Sequence, residues 1–381
     1  MFPLFPNPQT RRTMSVLSEQ VDGRPPQPPS GRRGKRWLRA IAAGALLAAG
    51  GGASTQPVAQ QAPQSHARKV KVLIISMFAP EAQPWIDKLG LTQAVPVPGL
   101  SIDYPSVHCN ASDVCQLTTG MGKANAASSV SALIHSGQFD LSRAYFLVAG
   151  IAGIDPSQGT LGTAAWARYL VDSDLAWEID AREVPADWPN GFIGINTQGP
   201  GQKPPLNYKT EIFRVNEALL QKALALSKGA VLDDNATARA YRANYPSAPA
   251  NQPPAVVQCD TAAGNTYWHG ALLGQREAAW VKLLTDGQGT YCTTQQEDNA
   301  TFEALTRGSK AGLLDLQRVA VLRTASNFDR PYPGQTPYDS LVGSNSGGFV
   351  PSLNNLYLAG GPLVNDIVTR WSVWKHGVPS P

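Results

Sequence analysis

Short apolar runs rich in β-branched residues recur along this chain, and segments of helical composition follow them. The clearest runs are Val70–Met77, which reads VKVLIISM, and Ala144–Val148, which leads directly into the AGIAGI segment at 149–154. Runs of this length and composition are typical of strands that are buried on both faces of a sheet. Their alternation with helical segments predicts an α/β fold, in which helices flank a mostly parallel or mixed central sheet.

The same patterns indicate the remaining elements of this fold. Ser106–Thr119 alternates as a hairpin does, and Asn216–Lys228 has the apolar spacing of an amphipathic helix. Two stretches rich in Pro and Asn, 180–210 and 229–255, are expected to be insertions between elements. Ligands of such sheets bind beyond the carboxyl ends of the strands, so functional residues are expected directly after them. The other predicted elements are strands at Ala164–Val171, Val256–Cys259 and Val319–Thr324, and helices at Trp85–Leu89, Ala124–Ser136 and Gly361–Trp374.

Charge is distributed unevenly between the beginning of the chain and the rest. The formal net charge is +4, but the first 39 residues hold eight basic and two acidic side chains, so they contribute +6. The remaining residues therefore carry −2. Because nucleic-acid binding depends on a basic surface that neutralises phosphates, this distribution argues against a nucleic-acid partner.

The basic beginning of the chain has the order of an export signal. Residues 32–36 read RRGKR, Ala40–Ala49 is apolar, and small residues follow up to Ser54. The apolar run has about half of the ~20 residues that a membrane-spanning helix needs. We therefore expect residues 1–67 to comprise a disordered extension, an export signal and a spacer, and residues 68–381 to form a single domain. A plain basic tail followed by a helix is the alternative.

Two further features predict the compartment of the chain. No later stretch approaches membrane-spanning length, so we expect an exported, periplasmic or secreted protein that does not span the membrane. An even number of cysteines in an exported protein suggests disulfides. Cys109 and Cys115 look like the ends of adjacent strands, which leaves Cys259 and Cys292 as the second pair. A metal site is the alternative, although the spacing matches no zinc pattern.

The first candidate site residues follow two predicted strands. Glu81 lies in the segment MFAPEAQP, where a carboxylate can position a water or hold a hydroxyl. An N-cap or an ordinary surface acid is the alternative. A glycine turn before a helix offers backbone N–H groups to an anion or polar ligand, although this one lacks P-loop spacing. The turn, in the segment TTGMGKAN, consists of Gly120, Met121, Gly122 and Lys123.

Two later segments contribute further polar side chains. Glu297, in TQQEDNA, can accept hydrogen bonds from two vicinal sugar hydroxyls. The alternative is that it belongs to the acidic first turn of a solvated helix. Asn327, in RTASNFD, both donates and accepts, which suits a purine edge that carries a carbonyl and a ring nitrogen.

Taken in this order, the four segments resemble the nucleoside phosphorylase and nucleosidase superfamily. Residues 70–375 resemble more closely its secreted branch, the purine nucleoside permeases. The resemblance implies a nucleoside phosphorylase-like fold with Pro-rich insertions and a purine nucleoside as the ligand. The closer resemblance is carried by QPW from 83, TTGMGKANAA from 118, AGIAGI from 149, DTAAGNTYWHG from 260, QQEDNA from 295 and RTASNFDRP from 323.

The resemblance also implies roles for individual residues. Glu81 matches the acid that activates water in the nucleosidases, and Glu297 matches the glutamate that holds ribose hydroxyls, with Gln296 where that motif has Met. Ser326 and Asn327 match a Ser-Asp pair in which the Asp protonates the leaving purine. The glycine turn from Gly120 to Lys123 matches a turn near the ribose or anion site.

Two departures from the superfamily pattern affect the chemistry that is expected. Asn327 replaces the usual acid, so it is expected to stabilise a leaving 6-oxopurine by hydrogen bonding; Asp329 is a geometrically doubtful substitute. The phosphorylases place arginines on phosphate in two segments that here, as MFAPEAQP and VAGIAGI, contain none. Phosphorolysis is therefore disfavoured relative to hydrolysis or simple binding.

An aromatic cluster completes the set of candidate residues. Tyr267, Trp268 and His269 lie where the superfamily supplies a ring that stacks on the base. An aromatic platform suits a purine, while packing in the core or in a lid is the alternative.

These observations predict an exported protein that binds a purine nucleoside and supports its uptake, by delivering it to a separate membrane carrier. Hydrolysis of the N-glycosidic bond by a purine nucleosidase is the first alternative, with Glu81 and Asn327 as catalytic residues. A storage or structural protein with a degraded site is the second. No cofactor and no metal are expected, and self-association is an expectation from the resemblance alone.

Overall fold

The computed structural model describes residues 67–379. The predicted disordered extension, export signal and spacer lie outside the described residues, apart from Ala67. The proposed division into a leader and a single domain stays a prediction. Within 67–379, every helix is too short or too polar to cross a lipid bilayer.

Helices and strands alternate along most of the described chain, as the sequence predicts. The strands are β1 Arg68–Lys69, β2 Val72–Ser76, β3 Gln93–Pro96, β4 Ser106–Cys109, β5 Val114–Thr118, β6 Phe139–Asp140, β7 Tyr145–Ile154, β8 Ala164–Trp166, β9 Tyr169–Asp172, β10 Ala176–Glu178, β11 Phe192–Gly194, β12 Ile212–Arg214, β13 Val256–Gln258, β14 Asp260–Ala263, β15 Tyr291–Gln295 and β16 Val319–Phe328. The α-helices are α1 Ala79–Leu89, α2 Lys123–His135, α3 Glu217–Ser227, α4 Ala236–Arg242, α5 Ala271–Leu284, α6 Asp298–Lys310, α7 Phe349–Thr369 and α8 Trp371–Trp374.

One large mixed sheet organises the described residues. Its main path runs β12-β9-β14-β15-β7-β2-β5-β4-β3, while β16 pairs with both β7 and β8. The centre is parallel: β2 lies between β5 and β7, and β16 runs alongside β7 in the same direction. The expected α/β fold with a mixed central sheet is confirmed, and its parallel centre brings four strand ends to one edge.

Two groups of helices cover this sheet. Helix α7 packs on β16 and β7 and also contacts α1 and α3, whereas α6 packs against α2 and reaches β9 and β14. The core between these layers contains fully buried rings such as Trp85, Trp166 and Trp374. The central strands are buried along their whole length, as their apolar composition predicts.

Several element bounds differ from the sequence-based expectation. The first helix begins at Ala79, so Glu81 lies in its first turn and not in a preceding loop. Pro80 is tolerated in this turn because the N–H that proline lacks would have no partner within the helix. The AGIAGI segment continues β7, and Ser326–Asn327 continue β16 past the predicted end. The predicted strand Ala164–Val171 is two strands, β8 and β9, and the last helical region begins at Phe349.

The predicted disulfide pairing is confirmed. Cys109 and Cys115 face each other across the β4–β5 hairpin, and Cys259–Cys292 joins the segment before β14 to β15. The two insertions are not wholly irregular, since β11 lies in 180–210 and α4 lies in 229–255. Both bridges lie outside the polar cluster described next.

Candidate functional site

The carboxyl ends of β2, β5, β7 and β16 meet at one edge of the sheet, and β15 ends beside them. Glu81 lies at this edge in the first turn of α1, and the glycine turn lies there between β5 and α2. Glu297 lies between β15 and α6, while Ser326 and Asn327 lie at the end of β16. Parallel pairing of the central strands thus brings together residues that are far apart in sequence.

Glu81 is a buried carboxylate that two backbone N–H groups hold in place. Its Oε2 accepts a hydrogen bond of 2.7 Å from the Met77 N–H, and its Oε1 accepts one of 2.7 Å from the Ile151 N–H. The pKa of Glu81 is nevertheless raised to about 7, chiefly by burial; the charge of Arg323 opposes this shift, and the charge of Glu297 adds to it. Glu81 therefore exchanges a proton near neutral pH.

Arg323 is the buried cation at the centre of the cluster. Its Nη2 lies 3.3 Å from Oε2 of Glu297 and also pairs with Asp298, while its Nη1 donates to the Ile151 carbonyl at 3.0 Å. The side chain is only 1% exposed. A buried guanidinium must be paired to offset its desolvation, and here the paired acids include the candidate ribose ligand.

Glu297 is positioned on both sides of its carboxylate. As N-cap of α6 its side chain makes no capping bond. Instead, its Oε1 accepts a hydrogen bond of 3.0 Å from the Gly122 N–H, opposite the Arg323 contact. Gly120 and Gly122 have φ angles of +86° and +87°, which side chains disfavour, so this turn depends on glycine.

Lys123 does not leave its charge free for a ligand anion. Its Nζ lies 2.6 Å from Asp172 and 3.0 Å from Asp174, and its backbone N–H donates to Asn265. Gln296 joins this network, because its amide donates to the Asn265 carbonyl at 2.7 Å. The backbone N–H groups of Gly122 and Lys123 are therefore engaged within the protein, while Met121, which lies between Gly120 and Gly122, is 53% exposed.

Two glycines of β7 leave space for these side chains. A Cβ at Gly150 would lie 2.6 Å from Arg323 Nη1 and 2.9 Å from Glu81 Oε1. A Cβ at Gly153 would lie 3.2 Å from Asn327 Nδ2. The AGIAGI segment therefore has the glycines of a close-packed strand and not those of a turn.

Ser326 and Asn327 form a hydrogen-bonded unit with Tyr267. The Ser326 hydroxyl lies 2.9 Å from Asn327 Oδ1, and Asn327 Nδ2 donates to the hydroxyl oxygen of Tyr267 and to the Phe328 carbonyl. This unit lies at a β-bulge between β16 and β7. Bulges commonly redirect a side chain beside a functional site.

The three predicted aromatic residues have different surroundings. Tyr267 is 41% exposed, whereas Trp268 is buried and packs against the ring of Tyr291. Both ring nitrogens of His269 are buried without a partner among the described residues, and burial lowers its pKa to about 4. Tyr267 is therefore the member of the trio that a ligand can reach.

Asp329 is held away from a catalytic role by its own partners. Its carboxylate accepts hydrogen bonds from Arg330 at 2.6 Å and from the Tyr291 hydroxyl at 2.7 Å. Burial raises its pKa to about 6. The sequence offered it as a doubtful substitute for the missing acid, and these contacts account for it as part of a buried ionic network with Arg330.

The structure thus brings together Glu81, the glycine turn, Glu297, Ser326, Asn327 and Tyr267, with Gln296 at the margin, whereas Trp268 is buried against Tyr291. Sequence reasoning assigned no role to Arg323 or Asp298. A lone arginine at the end of an apolar strand was the available signal, since a buried charge requires a partner. An open cleft of about 690 Å³ between α1, α7 and the start of β5 shares no residue with this cluster.

Known proteins resemble this chain over most of its length. A family model described as purine nucleoside permease matches residues 69–379. A probable purine nucleoside permease of Schizosaccharomyces pombe is 42% identical over 320 residues, which are 80% of this chain and 91% of that protein. A purine nucleoside permease of Candida albicans is 40% identical over 313 residues, which are 81% of this chain and 77% of that protein.

Solved structures resemble it more distantly. A 5′-methylthioadenosine/S-adenosylhomocysteine nucleosidase of Neisseria meningitidis is 16% identical with a TM-score of 0.46, covering 79% of this chain and 99% of that chain. A futalosine hydrolase of Helicobacter pylori is 15% identical with a TM-score of 0.46, covering 80% and 98%. The match of the family model and the identity to the two permeases decide the assignment: the chain belongs to the purine nucleoside permease family.

Proposed function

We propose that the protein binds a purine nucleoside at this edge of the sheet. The observation that carries the proposal is that the cations of this cluster are already paired with carboxylates. Three carboxylates, Glu81, Glu297 and Asp298, surround the single guanidinium of Arg323, and Lys123 is already paired with two further acids. Such surroundings favour a neutral ligand whose hydroxyls donate hydrogen bonds to carboxylate oxygens.

The sugar and the base of a nucleoside fit different parts of the cluster. Glu297 Oε1 can accept from a ribose hydroxyl in addition to the Gly122 N–H, because a carboxylate oxygen has two lone pairs. Tyr267, whose hydroxyl oxygen accepts a hydrogen bond from Asn327, offers a partly exposed ring and a polar group to the base. The names of the relatives support a purine nucleoside as the ligand.

The charge argument is tested by calorimetric titration of three ligands. Inosine is expected to bind at least about 10-fold more tightly than inosine 5′-monophosphate, because the phosphate enters an acidic site whose cations are already paired. A neutral 5′-substituted nucleoside, 5′-methylthioinosine, separates bulk from charge and is expected to bind. Equal binding of inosine and its monophosphate would contradict the proposal.

We also propose that the protein is exported and supports uptake, delivering ligand to a separate membrane carrier. The two disulfides fit an oxidising compartment, and the relatives are named permeases. Cells that lack the protein are expected to take up labelled inosine more slowly. Wild-type protein should restore the rate, whereas Glu297→Gln should not. Restoration by both would separate uptake from this site.

Hydrolysis is the second candidate function, and the pKa of Glu81 near 7 favours it. Ionised Glu81 would take a proton from water as the hydroxide adds to the anomeric carbon. The C1′–N9 bond would break, and the purine would leave with the bonding pair and take a proton from solvent. Phosphorolysis is less favoured, because Arg323 and Lys123 are engaged with acids.

A product assay separates hydrolysis from binding. Protein is incubated with inosine, guanosine or adenosine, with and without phosphate, and free base is separated by chromatography. Base released without phosphate by the wild type, and not by Glu81→Gln, would establish a nucleosidase. Saturable binding without release of base would establish a binding protein.

A further inference from the structure

The amide of Asn327 has one orientation that its neighbours allow. Its Nδ2 lies 2.8 Å from the carbonyl oxygen of Phe328, which can only accept a hydrogen bond. The amide nitrogen, and not the amide oxygen, must therefore face that carbonyl. On the other side, Oδ1 lies 2.9 Å from the Ser326 hydroxyl, which can donate its one proton to Oδ1 or to the Ala152 carbonyl at 3.2 Å. The orientation thus follows from the hydrogen bonds around it.

This orientation uses both hydrogens of the amide nitrogen. One points to the Phe328 carbonyl and the other to the hydroxyl oxygen of Tyr267. Asn327 therefore has no N–H left for a ligand in this arrangement, although its sequence position suggested that role. The Tyr267 oxygen accepts the bond from Asn327 and keeps its own proton, which has no protein acceptor within residues 67–379.

The free proton of Tyr267 lies at the site. The Tyr267 hydroxyl would be 3.5 Å from a Cβ at Gly153, the second-last residue of β7. The side-chain methyl group of Thr294 in β15 would be 3.1 Å from the same Cβ. Thr294 lies three residues before Glu297, the candidate ribose ligand. Tyr267 is also 41% exposed, so a ligand can approach its hydroxyl.

We propose that the Tyr267 hydroxyl is the donor with which the site recognises an acceptor atom of the purine, either N7 or O6. Asn327 is then a positioning residue, which holds the phenol oxygen and turns its proton toward the ligand. This inference rests on the proposed function, since it assigns one hydrogen bond within the nucleoside site.

The test is a double-mutant cycle between protein and ligand, measured by titration calorimetry. The protein is the wild type or Tyr267→Phe, which removes the hydroxyl and keeps the ring. The ligands are inosine, 7-deazainosine, which lacks N7, and purine riboside, which lacks O6. Tyr208→Phe is the matched control, because Tyr208 is an exposed tyrosine in the 180–210 insertion.

Tyr267→Phe is expected to weaken inosine binding by about 3- to 10-fold, the effect of one lost hydrogen bond. One analogue should weaken wild-type binding by a similar factor and show no further loss with Tyr267→Phe. That analogue identifies the atom that is recognised. Tyr208→Phe should bind all three ligands as the wild type does.

Two results would overturn the inference while leaving the proposed function intact. They are unchanged inosine binding by Tyr267→Phe, and equal losses for all three ligands on that substitution. The analogue series on wild-type protein is an independent check, because full-strength binding of both analogues excludes a recognised acceptor at N7 or O6. Wild-type protein that binds none of the three ligands would remove the proposed function itself, and this inference with it.

Discussion

Arg323 Nη2 and Glu297 Oε2 lie 3.3 Å apart in the buried centre of the cluster. The contact fixes one oxygen of Glu297, while the other accepts from the Gly122 N–H and is the oxygen that we propose accepts from a sugar hydroxyl. A strand residue from β16 thereby orients a carboxylate at the start of α6. This preorganised carboxylate is the feature on which nucleoside binding is expected to depend.

Arg323→Met should destabilise the fold and weaken binding together. The substitution leaves Asp298 and Glu297 buried without their cation, which costs about 3–5 kcal/mol of unfolding free energy. Denaturant titration measures the loss. Arg307→Met, on exposed α6 surface with its side chain 72% exposed, is the control and should change stability by less than about 1 kcal/mol. Equal effects of the two substitutions would contradict the buried-pair account.

Gly150→Ala should disturb the cluster without removing any polar group. The added Cβ would approach Arg323 Nη1 to 2.6 Å and Met77 Sδ to 2.8 Å, so these side chains must move. A loss of about 1–3 kcal/mol in stability is expected, with weaker inosine binding. At Gly229 a Cβ meets nothing within 4 Å, so Gly229→Ala is the control. Wild-type binding by Gly150→Ala would show that the glycine is not needed for the site.

Glu81 should make stability depend on pH in a defined direction. Its pKa is raised from 4.5 to about 7 on folding, so the folded protein binds the extra proton. The extra proton stabilises the folded protein by about 3 kcal/mol. This stabilisation is fully present below about pH 4.5 and is lost as the pH rises through 7. Glu81→Gln cannot titrate, so its unfolding free energy relative to the wild type should increase between pH 5 and 8.

The quantity to measure is the pH dependence of the difference in unfolding free energy between Glu81→Gln and the wild type. Denaturant unfolding at several pH values gives it. Glutamine presents an amide where Glu81 accepts from Met77 and Ile151, so a constant offset between the two proteins is expected. Asp329, with a pKa raised to about 6, contributes to both proteins and cancels in the difference. Parallel pH profiles would mean that Glu81 is ionised throughout this range.

The sequence predicts the centre of this fold well, for a physical reason. Val70–Met77 and Ala144–Val148 are apolar because parallel strands are covered on both faces, and that requirement is visible in composition alone. The extensions of β7 through AGIAGI and of β16 through Ser326–Asn327 are not visible in this way. Glycines and polar residues favour turns locally, and only the pairing between these two strands overrides that preference.

The candidate site shows the same division between local and distant information. Glu81 is recognisable because it follows a predicted strand, and Glu297 because it lies at a predicted helix start. The partners that define their chemistry come from elsewhere: Arg323 is 26 residues from Glu297, and the Gly122 N–H is 175 residues away. Spacing along the chain carries no information about such contacts, so the pairing of Arg323 and the role of Asn327 as a donor to Tyr267 required the structure.

Titration of inosine into wild-type protein and Glu297→Gln tests the central claim most directly. Glu303→Gln, on the same helix and paired with exposed Arg307, is the matched control. Saturable binding is expected for the wild type and for Glu303→Gln, with a loss of at least about 10-fold for Glu297→Gln. An absence of saturable binding to the wild type, together with no release of free base, would contradict the account and favour a storage or structural role.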